Sequence, residues 1–345
     1  MNLDTIRIKM QLENLDFNKS LYNTQMLVSP DGETRTKFVL AKHPLGLNGI
    51  ELLPETNEAI VSISAKILKE QYLDGVSVNT LGRVHRELKP YINHTLAELE
   101  DSCVLRTDIT ENLYFDTCRD KEFAIQSLKL GKSNTGFKVD DFTDKKESII
   151  FTGRQTSYKN RQIYYNKEKE LMLAHNKEIR QCLGKWDKID KILRVEQNVT
   201  SLDKLRQAIG KNKVNTQLVS NFNKSGVNSV KLSEMLTSKQ KPLLERHRII
   251  MKYANQVSIF DEYDDWDYAV KIEGWKGLYK RCNSDLDLMI DFLMKTKKAK
   301  RIQIWRIKTE LQQYFSSENV RKKEEKKPYF EILMKIAEML TYSKG

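Results

Sequence analysis

The segment RQIYYNKEKEL, residues Arg161–Leu171, joins a strand pattern to a helix pattern. Gln162–Tyr165 has the aromatic and β-branched content of a strand, and the charged run that begins at Lys167 is typical of a helix continuing to about Leu183. Two neighbouring tyrosines therefore end a predicted strand shortly before a lysine. Because adjacent strand residues point to opposite faces of a sheet, only one of these tyrosines faces a given site.

Two further segments place a carboxylate and an arginine within an apolar run. They are LRTDI, Leu105–Ile109, and LRVE, Leu193–Glu196. A polar group in a half-buried strand needs a partner or a function. On neighbouring strands of one sheet face, Asp108 and Glu196 would supply two hard oxygen ligands for Mg²⁺ or Mn²⁺. The sequence therefore predicts a divalent cation site between these strands.

Each of the two carboxylates follows an arginine by two positions. Because side chains alternate along a strand, Arg106 shares a face with Asp108, and Arg194 shares a face with Glu196. Guanidinium groups bind carboxylate and phosphate oxygens in the same planar geometry. We therefore expect these arginines to orient the carboxylates or to hold a phosphate, and simple salt bridges are the alternative.

Strand-like runs and helical runs alternate through the first 200 residues, whereas helical spacing dominates afterwards. This pattern predicts an α+β domain over residues 1–210, with one mixed or antiparallel sheet covered by helices, followed by a mainly helical domain over residues 211–345. The segment from Gly210 to Ser229 has the Asn, Ser and Lys content of a linker. The predicted strands include Ile6–Leu12, Phe38–Ala41, Ala59–Ser64, Asp101–Phe115, Ser148–Thr152 and Asp190–Val199, and the predicted helices include Val78–Leu99, Lys121–Leu130 and Lys231–Ala254.

The net charge of +12 is concentrated in the second half of the chain. Residues 1–200 hold 30 Lys and Arg against 29 Asp and Glu, whereas residues 201–345 hold 29 against 18. A basic surface attracts phosphate backbones without regard to base sequence. A helix carrying Lys297, Lys298, Lys300 and Arg301, interleaved with apolar residues, is the candidate DNA contact, and a solvated basic helix is the alternative.

The chain lacks the sequence features of a membrane or exported protein. No segment approaches the roughly 18 apolar residues that cross a bilayer. Charged residues interrupt the first ten positions, so these do not form the apolar core of a signal peptide. We expect a cytoplasmic protein without a membrane partner.

The order and spacing of the strand segments resemble those of the filamentous-phage replication initiators, the gene II protein family. VLRTDITENL (Val104–Leu113) is similar to its R-x-D strand, and RQIYYNKEKEL to its Y-x-K-x-x-E-L segment. ILRVEQNVTSLDKL (Ile192–Leu205) is similar to its L-R-x-E strand, and AIVSISAKIL (Ala59–Leu68) to a strand that ends in an alanine-lysine pair. The resemblance covers about residues 38 to 210.

The resemblance implies a rolling-circle replication initiator, a metal-dependent endonuclease that nicks the plus strand at a double-stranded origin. Such an enzyme forms a 5′-phosphotyrosine link, leaves a 3′-hydroxyl for a host polymerase working with a host helicase, and later rejoins the displaced single strand. On the matching motif, Tyr165 is the nucleophile, and Lys167 is a cation that stabilises the phosphorane or the phenolate. Asp108 and Glu196 are the metal carboxylates, and Tyr164 is expected to pack beneath the sheet.

The sequence departs from the related HUH endonucleases, which hold their metal with a His-hydrophobic-His pair. None of the five histidines forms a His-x-His pair, so the fold expected is HUH-like without that pair and the remaining metal ligands stay open. The Gly-His-Asn that often follows the alanine-lysine strand is also lacking, and Leu73–Val76 stands near its place. Two alternatives remain: a plasmid or mobile-element initiator or relaxase with the same chemistry, and a non-catalytic DNA-binding regulator.

Overall fold

The computed structural model describes residues 1–28, 34–130, 137–142, 147–153, 161–183, 189–211, 229–254, 266–282, 286–296, 305–307, 309, 311 and 319–342. The cations of the predicted basic helix lie outside the described residues. These are Lys297, Lys298, Lys300 and Arg301.

The described strands form one ten-stranded sheet in the order β2-β3-β4-β5-β1-β6-β10-β9-β8-β7. Every described strand pair is antiparallel. With the helices described below, the sheet confirms the predicted α+β class. The strands are β1 Leu3–Gln11, β2 Tyr22–Val28, β3 Thr34–Leu40, β4 Leu47–Leu53, β5 Glu58–Ser64, β6 Cys103–Tyr114, β7 Phe137–Phe142, β8 Ser148–Gly153, β9 Arg161–Asn166 and β10 Ile192–Val199.

The alternation of the sequence gives the sheet two different faces. In β1, Ile6 and Ile8 are fully buried on one side, whereas Arg7 lies on the other side and is exposed. Antiparallel sheets commonly cover one face and leave part of the other open to solvent. We call the side that carries Arg7 the front face, and the side that carries Ile6 the reverse face.

Residues 305–307, 309 and 311 are helical, and eleven α-helices have both of their ends within the described residues. They are α1 Leu81–Leu88, α2 Leu96–Glu100, α3 Cys118–Leu130, α4 Lys167–Leu171, α5 Lys177–Leu183, α6 Leu202–Ala208, α7 Leu232–Thr237, α8 Pro242–Ala254, α9 Trp266–Arg281, α10 Leu286–Thr296 and α11 Asn319–Tyr342. A 3₁₀ segment, Ala65–Asp74, follows β5 and has a kink at Lys69. None of the described helices is both long and apolar enough to span a bilayer.

Three long helices expected from the sequence are interrupted in the structure. The predicted helix Val78–Leu99 is wrong as a single element, because Pro90 lacks an amide hydrogen and stands between α1 and α2. The helix expected from Lys167 to Leu183 is divided by a 3₁₀ turn at Ala174–Asn176. The helix expected over Lys231–Ala254 stops at α7, and Pro242 begins the next helix in its favoured position.

One large hydrophobic cluster joins the sheet to helices from both ends of the chain. It contains Val84 of α1, Leu128 of α3, Leu244 of α8 and Ile336 of α11. Helix α11 packs against α3 and α8. A second, smaller cluster is formed by α9, α10 and Leu311. The domain boundary at residue 210 stays a prediction, but the main cluster contains residues from both sides of it, and α8 and α11 lie behind the sheet.

Candidate active site

The strand register brings Tyr165, Arg194, Glu196 and Asp108 to the front face, together with Arg106. Arg194 of β10 lies opposite Tyr165 of β9, and Glu196 follows on the same side of β10. On the other flank of β10, Asn198 lies opposite Asp108 of β6. The three segments singled out in the sequence therefore belong to three adjacent strands.

Tyr165 and Glu196 are joined by a short hydrogen bond. The Tyr165 hydroxyl donates to Glu196 Oε1 at 2.5 Å, and only 6% of the tyrosine is exposed. Burial and the neighbouring Glu196 charge raise the pKa of Tyr165 well above its usual range. The phenol is therefore protonated at neutral pH, and a carboxylate is already in place to accept its proton.

Arg194 is a buried counter-ion for two carboxylates. Its Nε lies 3.0 Å from Glu196 Oε1, and its Nη2 lies 2.5 Å from Asp4 Oδ1. Nε also donates to Thr110 Oγ1 at 2.8 Å. Because the side chain has no exposed surface, its visible role is to orient Asp4 and Glu196.

The front face contains more buried negative charge than Arg194 alone offsets. Burial and the charge of Glu196 raise the pKa of Asp108 to about 6, although Arg106 acts in the opposite direction. The Asn198 side-chain amide donates to Asp108 Oδ1. Burial and the Asp4 charge likewise raise the pKa of Glu196. Both carboxyl groups would be stabilised in their ionised forms by an additional positive charge.

The two carboxylates can be compared with the needs of the magnesium or manganese ion that the resemblance implies. Asp108 and Glu196 supply the carboxylate oxygens that these ions prefer. Among the described residues, no three Asp, Glu, His or Cys side chains lie close enough to hold a metal together. Mg²⁺ is commonly bound by one or two carboxylates together with water and phosphate oxygens, so Asp108 and Glu196 would be a sufficient protein contribution to such a site.

Lys167 lies beside the tyrosine in a second buried cluster. Its Nζ donates to Tyr72 Oη at 2.5 Å and to Glu170 Oε2 at 2.8 Å. The same nitrogen is 4.5 Å from the centre of the Tyr72 ring and 5.5 Å from the centre of the Tyr165 ring. Burial, followed by the Arg194 charge, lowers the pKa of Lys167 to about 8. The cation is therefore near the predicted nucleophile and loses a proton more readily than an exposed lysine.

Arg106 is exposed and does not belong to this buried cluster. It lies opposite Arg7 of β1 on the front face, and its side chain faces solvent. From the sequence we expected both Arg106 and Arg194 to orient a carboxylate or to hold a phosphate. In the structure only Arg194 is buried between carboxylates, whereas Arg106 is available for a contact from outside.

Three residues of the site were missed by the sequence analysis. Asp4 lies at an irregularity in the pairing of β1 with β6 and binds Arg194. Asp4 is a carboxylate among the apolar residues of a strand, and the same feature drew attention to Asp108. Asn198 lies two residues beyond Glu196, so strand alternation would also have found it. Tyr72 belongs to the kinked 3₁₀ segment, whose sequence has no period from which the direction of a side chain follows.

Comparison with known proteins gives no match to a family model, to a curated protein or to a solved structure. The resemblance to the gene II protein family therefore depends on the quoted segments alone.

Proposed function

We propose that this protein is a rolling-circle replication initiator that nicks one DNA strand with Tyr165 and stays joined to the 5′ end. The observation that carries the proposal is the Tyr165 hydroxyl, which donates to Glu196 on the sheet face that also carries Asp108. A nucleophile, a proton acceptor and two candidate metal ligands lie on three adjacent strands. That combination is what a tyrosine needs for transesterification at a phosphodiester.

The proposed cleavage step transfers the phosphoryl group from a 3′-oxygen to tyrosine. The Tyr165 proton moves to Glu196 as the phenolic oxygen bonds to phosphorus, and the bond from phosphorus to the 3′-oxygen breaks. The 3′-oxygen leaves with a proton from solvent. The Lys167 ammonium near the ring favours the phenolate. When bound by Asp108 and Glu196, Mg²⁺ or Mn²⁺ polarises the phosphodiester.

The phosphotyrosine bond conserves the energy needed for the second step. A 3′-hydroxyl attacks the linked phosphate, the phenolic oxygen regains its proton, and the displaced strand is closed. As in the phage initiators that the sequence resembles, the proposed partners are the double-stranded origin, the single-stranded plus strand, and the helicase and polymerase of a bacterial host. The proposed fold is HUH-like without the histidine pair, and the proposed location is the host cytoplasm.

The test is covalent adduct formation on the circular replicon that encodes the protein. Full-length protein is incubated with this DNA and Mg²⁺ or Mn²⁺, and the DNA-linked peptide is sequenced. We expect Tyr165→Phe to abolish the adduct and to leave DNA binding intact, because only the attacking hydroxyl is lost. An adduct that persists in Tyr165→Phe overturns the proposal.

Two tyrosine variants serve as controls for this loss. Tyr22→Phe removes a buried hydroxyl that donates to the Tyr91 carbonyl oxygen at 2.9 Å in the same hydrophobic cluster, far along the sheet from β9. We expect it to leave nicking unchanged. In Tyr164→Phe the adduct must still form on Tyr165. An adduct on residue 164 in the wild type would show that the assigned register is wrong by one residue.

One observation favours a second function, that of a non-catalytic DNA-binding regulator. The Tyr165 side chain is almost completely buried, and its hydroxyl is engaged with Glu196. An attacking hydroxyl must reach a phosphorus atom, so catalysis requires the front face to admit the strand. If the wild type binds its replicon and never nicks it with Mg²⁺ or Mn²⁺, the regulator is the correct function.

A further inference from the structure

The reverse face of β9 carries three buried polar side chains in a row. Gln162, Tyr164 and Asn166 alternate along the strand and have exposed fractions of 0%, 0% and 2%. Four of their neighbours on the same face of β8 and β10 are apolar and buried, namely Ile149, Phe151, Leu193 and Val195, and the fifth, opposite Gln162, is Gln197. Polar groups in such a layer destabilise the fold unless they find partners.

Tyr164, the middle residue, connects the strand to two helices. Its hydroxyl lies 2.7 Å from His247 Nδ1 in α8, and His247 Nε2 lies 3.0 Å from the Leu333 carbonyl oxygen in α11. A carbonyl only accepts, so Nε2 carries the proton, and Nδ1 of the neutral ring accepts from Tyr164. Burial lowers the pKa of His247 to about 4, which keeps the ring neutral at physiological pH.

The outer two residues add connections at each end of the strand. Gln162 Nε2 donates to Tyr164 Oη at 2.6 Å and to the Leu243 carbonyl oxygen of α8 at 3.2 Å. At the other end, Lys121 Nζ of α3 donates to Asn166 Oδ1 at 3.2 Å. The three side chains therefore tie β9 directly to α3 and α8, and through His247 to α11.

We infer that Gln162, Tyr164 and Asn166 form a positioning ladder that fixes the register of β9 and thereby holds the Tyr165 hydroxyl against Glu196. A slip by one residue would exchange the faces of all side chains in the strand. It would place Tyr165 in the apolar layer and leave the buried His247 Nδ1 without the hydroxyl from which it accepts, which is unfavourable for a buried polar group. Lys121 would lose its contact with Asn166 and keep its contact with the Asp190 carbonyl oxygen. Buried polar networks of this kind specify a single arrangement.

Tyr164 is thus a positioning residue that acts on Tyr165 through the backbone they share. The consequence for catalysis rests on the proposed function, whereas the placement of the Tyr165 hydroxyl does not. The two claims are therefore measured separately.

The placement is tested by NMR of protein labelled with ¹³C at tyrosine Cζ. The Tyr165 resonance is identified by its loss in Tyr165→Phe. Glu196→Gln replaces the carboxylate that accepts the Tyr165 hydrogen bond and shows how the chemical shift of this resonance responds. We expect Tyr164→Phe to move this resonance toward its position in Glu196→Gln. Tyr22→Phe is the matched control and should leave it in place. A Tyr165 resonance that is unchanged in Tyr164→Phe overturns the ladder, whether or not the protein cleaves DNA.

The catalytic consequence is tested by the single-turnover rate of adduct formation on an oligonucleotide carrying the mapped nick site. We expect Tyr164→Phe to slow the reaction about tenfold without changing the Kd for the oligonucleotide, because small errors in nucleophile position lower the rate and not the affinity. Tyr22→Phe should react at the wild-type rate. A Tyr164→Phe rate equal to that of Tyr22→Phe contradicts the proposal.

A double variant separates positioning from stability and carries the test if Tyr164→Phe does not fold. Tyr164→Phe/His247→Leu replaces both partners of the hydrogen bond with apolar groups, which restores much of the free energy of unfolding. We expect its rate to stay about tenfold low. A double variant that regains both stability and rate would show that the ladder is purely structural. A wild type that forms no adduct refutes the proposed function. In that case the NMR result alone decides whether the ladder positions the Tyr165 hydroxyl.

Discussion

Tyr164 and Tyr165 are neighbours in one strand, yet they lie in opposite chemical environments. Tyr164 shares its hydroxyl with a neutral imidazole and a neutral amide, whereas Tyr165 donates to a carboxylate that also pairs with Arg194. In the first arrangement, neutral side chains of the protein supply the hydrogen-bond partners of the hydroxyl. The second has an excess of carboxylates over buried cations. On the reverse face, buried hydrogen bonds between neutral groups fix the position of β9. On the front face, the negative charge is only partly compensated, and this is the face on which a ligand is expected.

The largest effect on stability is expected from Arg194→Met on the front face. The variant leaves the half-buried carboxylates of Asp4 and Glu196 without their fully buried counter-ion, so the free energy of unfolding should fall by about 3 kcal/mol. Urea unfolding measures the change. A loss of less than about 1 kcal/mol, the range of a surface pair, would show that the front face is not held by buried charge.

The next effect is a pH dependence of stability that comes from Asp108. Its folded pKa of about 6 lies above the ordinary value of 3.8, so the folded state binds more protons than the unfolded state between these values. The free energy of unfolding should therefore fall as pH rises through this window, by up to about 3 kcal/mol when no divalent cation is added.

Urea unfolding of wild type and Asp108→Asn in a chelating buffer checks this dependence. The asparagine oxygen can still accept from Asn198 but does not ionise, so the difference between the two proteins should grow from pH 4 to pH 6 in favour of the variant. Parallel curves would rule out Asp108 as the titrating group. Added Mg²⁺ or Mn²⁺ should stabilise the wild type above pH 6 and leave Asp108→Asn unaffected.

A moderate effect is expected on the reverse face from His247→Leu. The variant removes one partner of the Tyr164 hydroxyl and should lower the free energy of unfolding by about 2 kcal/mol. Because the folded pKa of about 4 lies below the ordinary value of 6.5, the unfolded state binds more protons than the folded state at pH 5.5. The loss should therefore be smaller at pH 5.5 than at pH 8, by about 1 kcal/mol. An equal loss at the two pH values would show that the fold does not lower the pKa of His247 and that the reverse face does not hold the ring neutral.

The smallest effect on stability is expected from Arg106→Ala. Its side chain is exposed, so the free energy of unfolding should change by less than about 0.5 kcal/mol. If Arg106 contacts one DNA phosphate, the slope of log K against log salt should flatten by about 0.9. Lys231→Ala is the control, since Lys231 is an exposed cation that pairs with Asp101 away from β9 and β10. An equal slope in both variants would exclude Arg106 from the DNA contact.

The sequence predicts the front face better than the reverse face, for a physical reason. Strand alternation and the polar positions in LRTDI and LRVE are local signals, and the structure places Asp108, Tyr165, Arg194 and Glu196 on one face as that alternation requires. Their roles in catalysis and metal binding stay predictions. The partner of Tyr164 lies 83 residues away in α8, and no local pattern connects the two positions.

The errors in the fold have local causes. Strands β2, β4 and β7 were missed. In β2 most residues are exposed, as are Asn23 and Gln25, and in β4 the pair Asn48 and Gly49 interrupts the apolar residues. In β7 the pair Asp140 and Asp141 does the same. The helix expected over Val78–Leu99 is interrupted, because Pro90 cannot donate a backbone hydrogen bond within a helix. The α+β class was predictable because helical and strand-like periods alternate over many segments, and a single broken helix does not change that pattern.

Helix α11 has a consequence for the synthesis of the protein. Ile332, Leu333 and Ile336 belong to the same hydrophobic cluster as the sheet, and Leu333 accepts the His247 hydrogen bond behind β9. A ribosome makes these residues long after β10. A nascent chain that already contains Tyr165 and Glu196 therefore lacks the last layer behind β9. If the proposed function is correct, we expect such a chain to be unable to cut DNA until translation has passed α11.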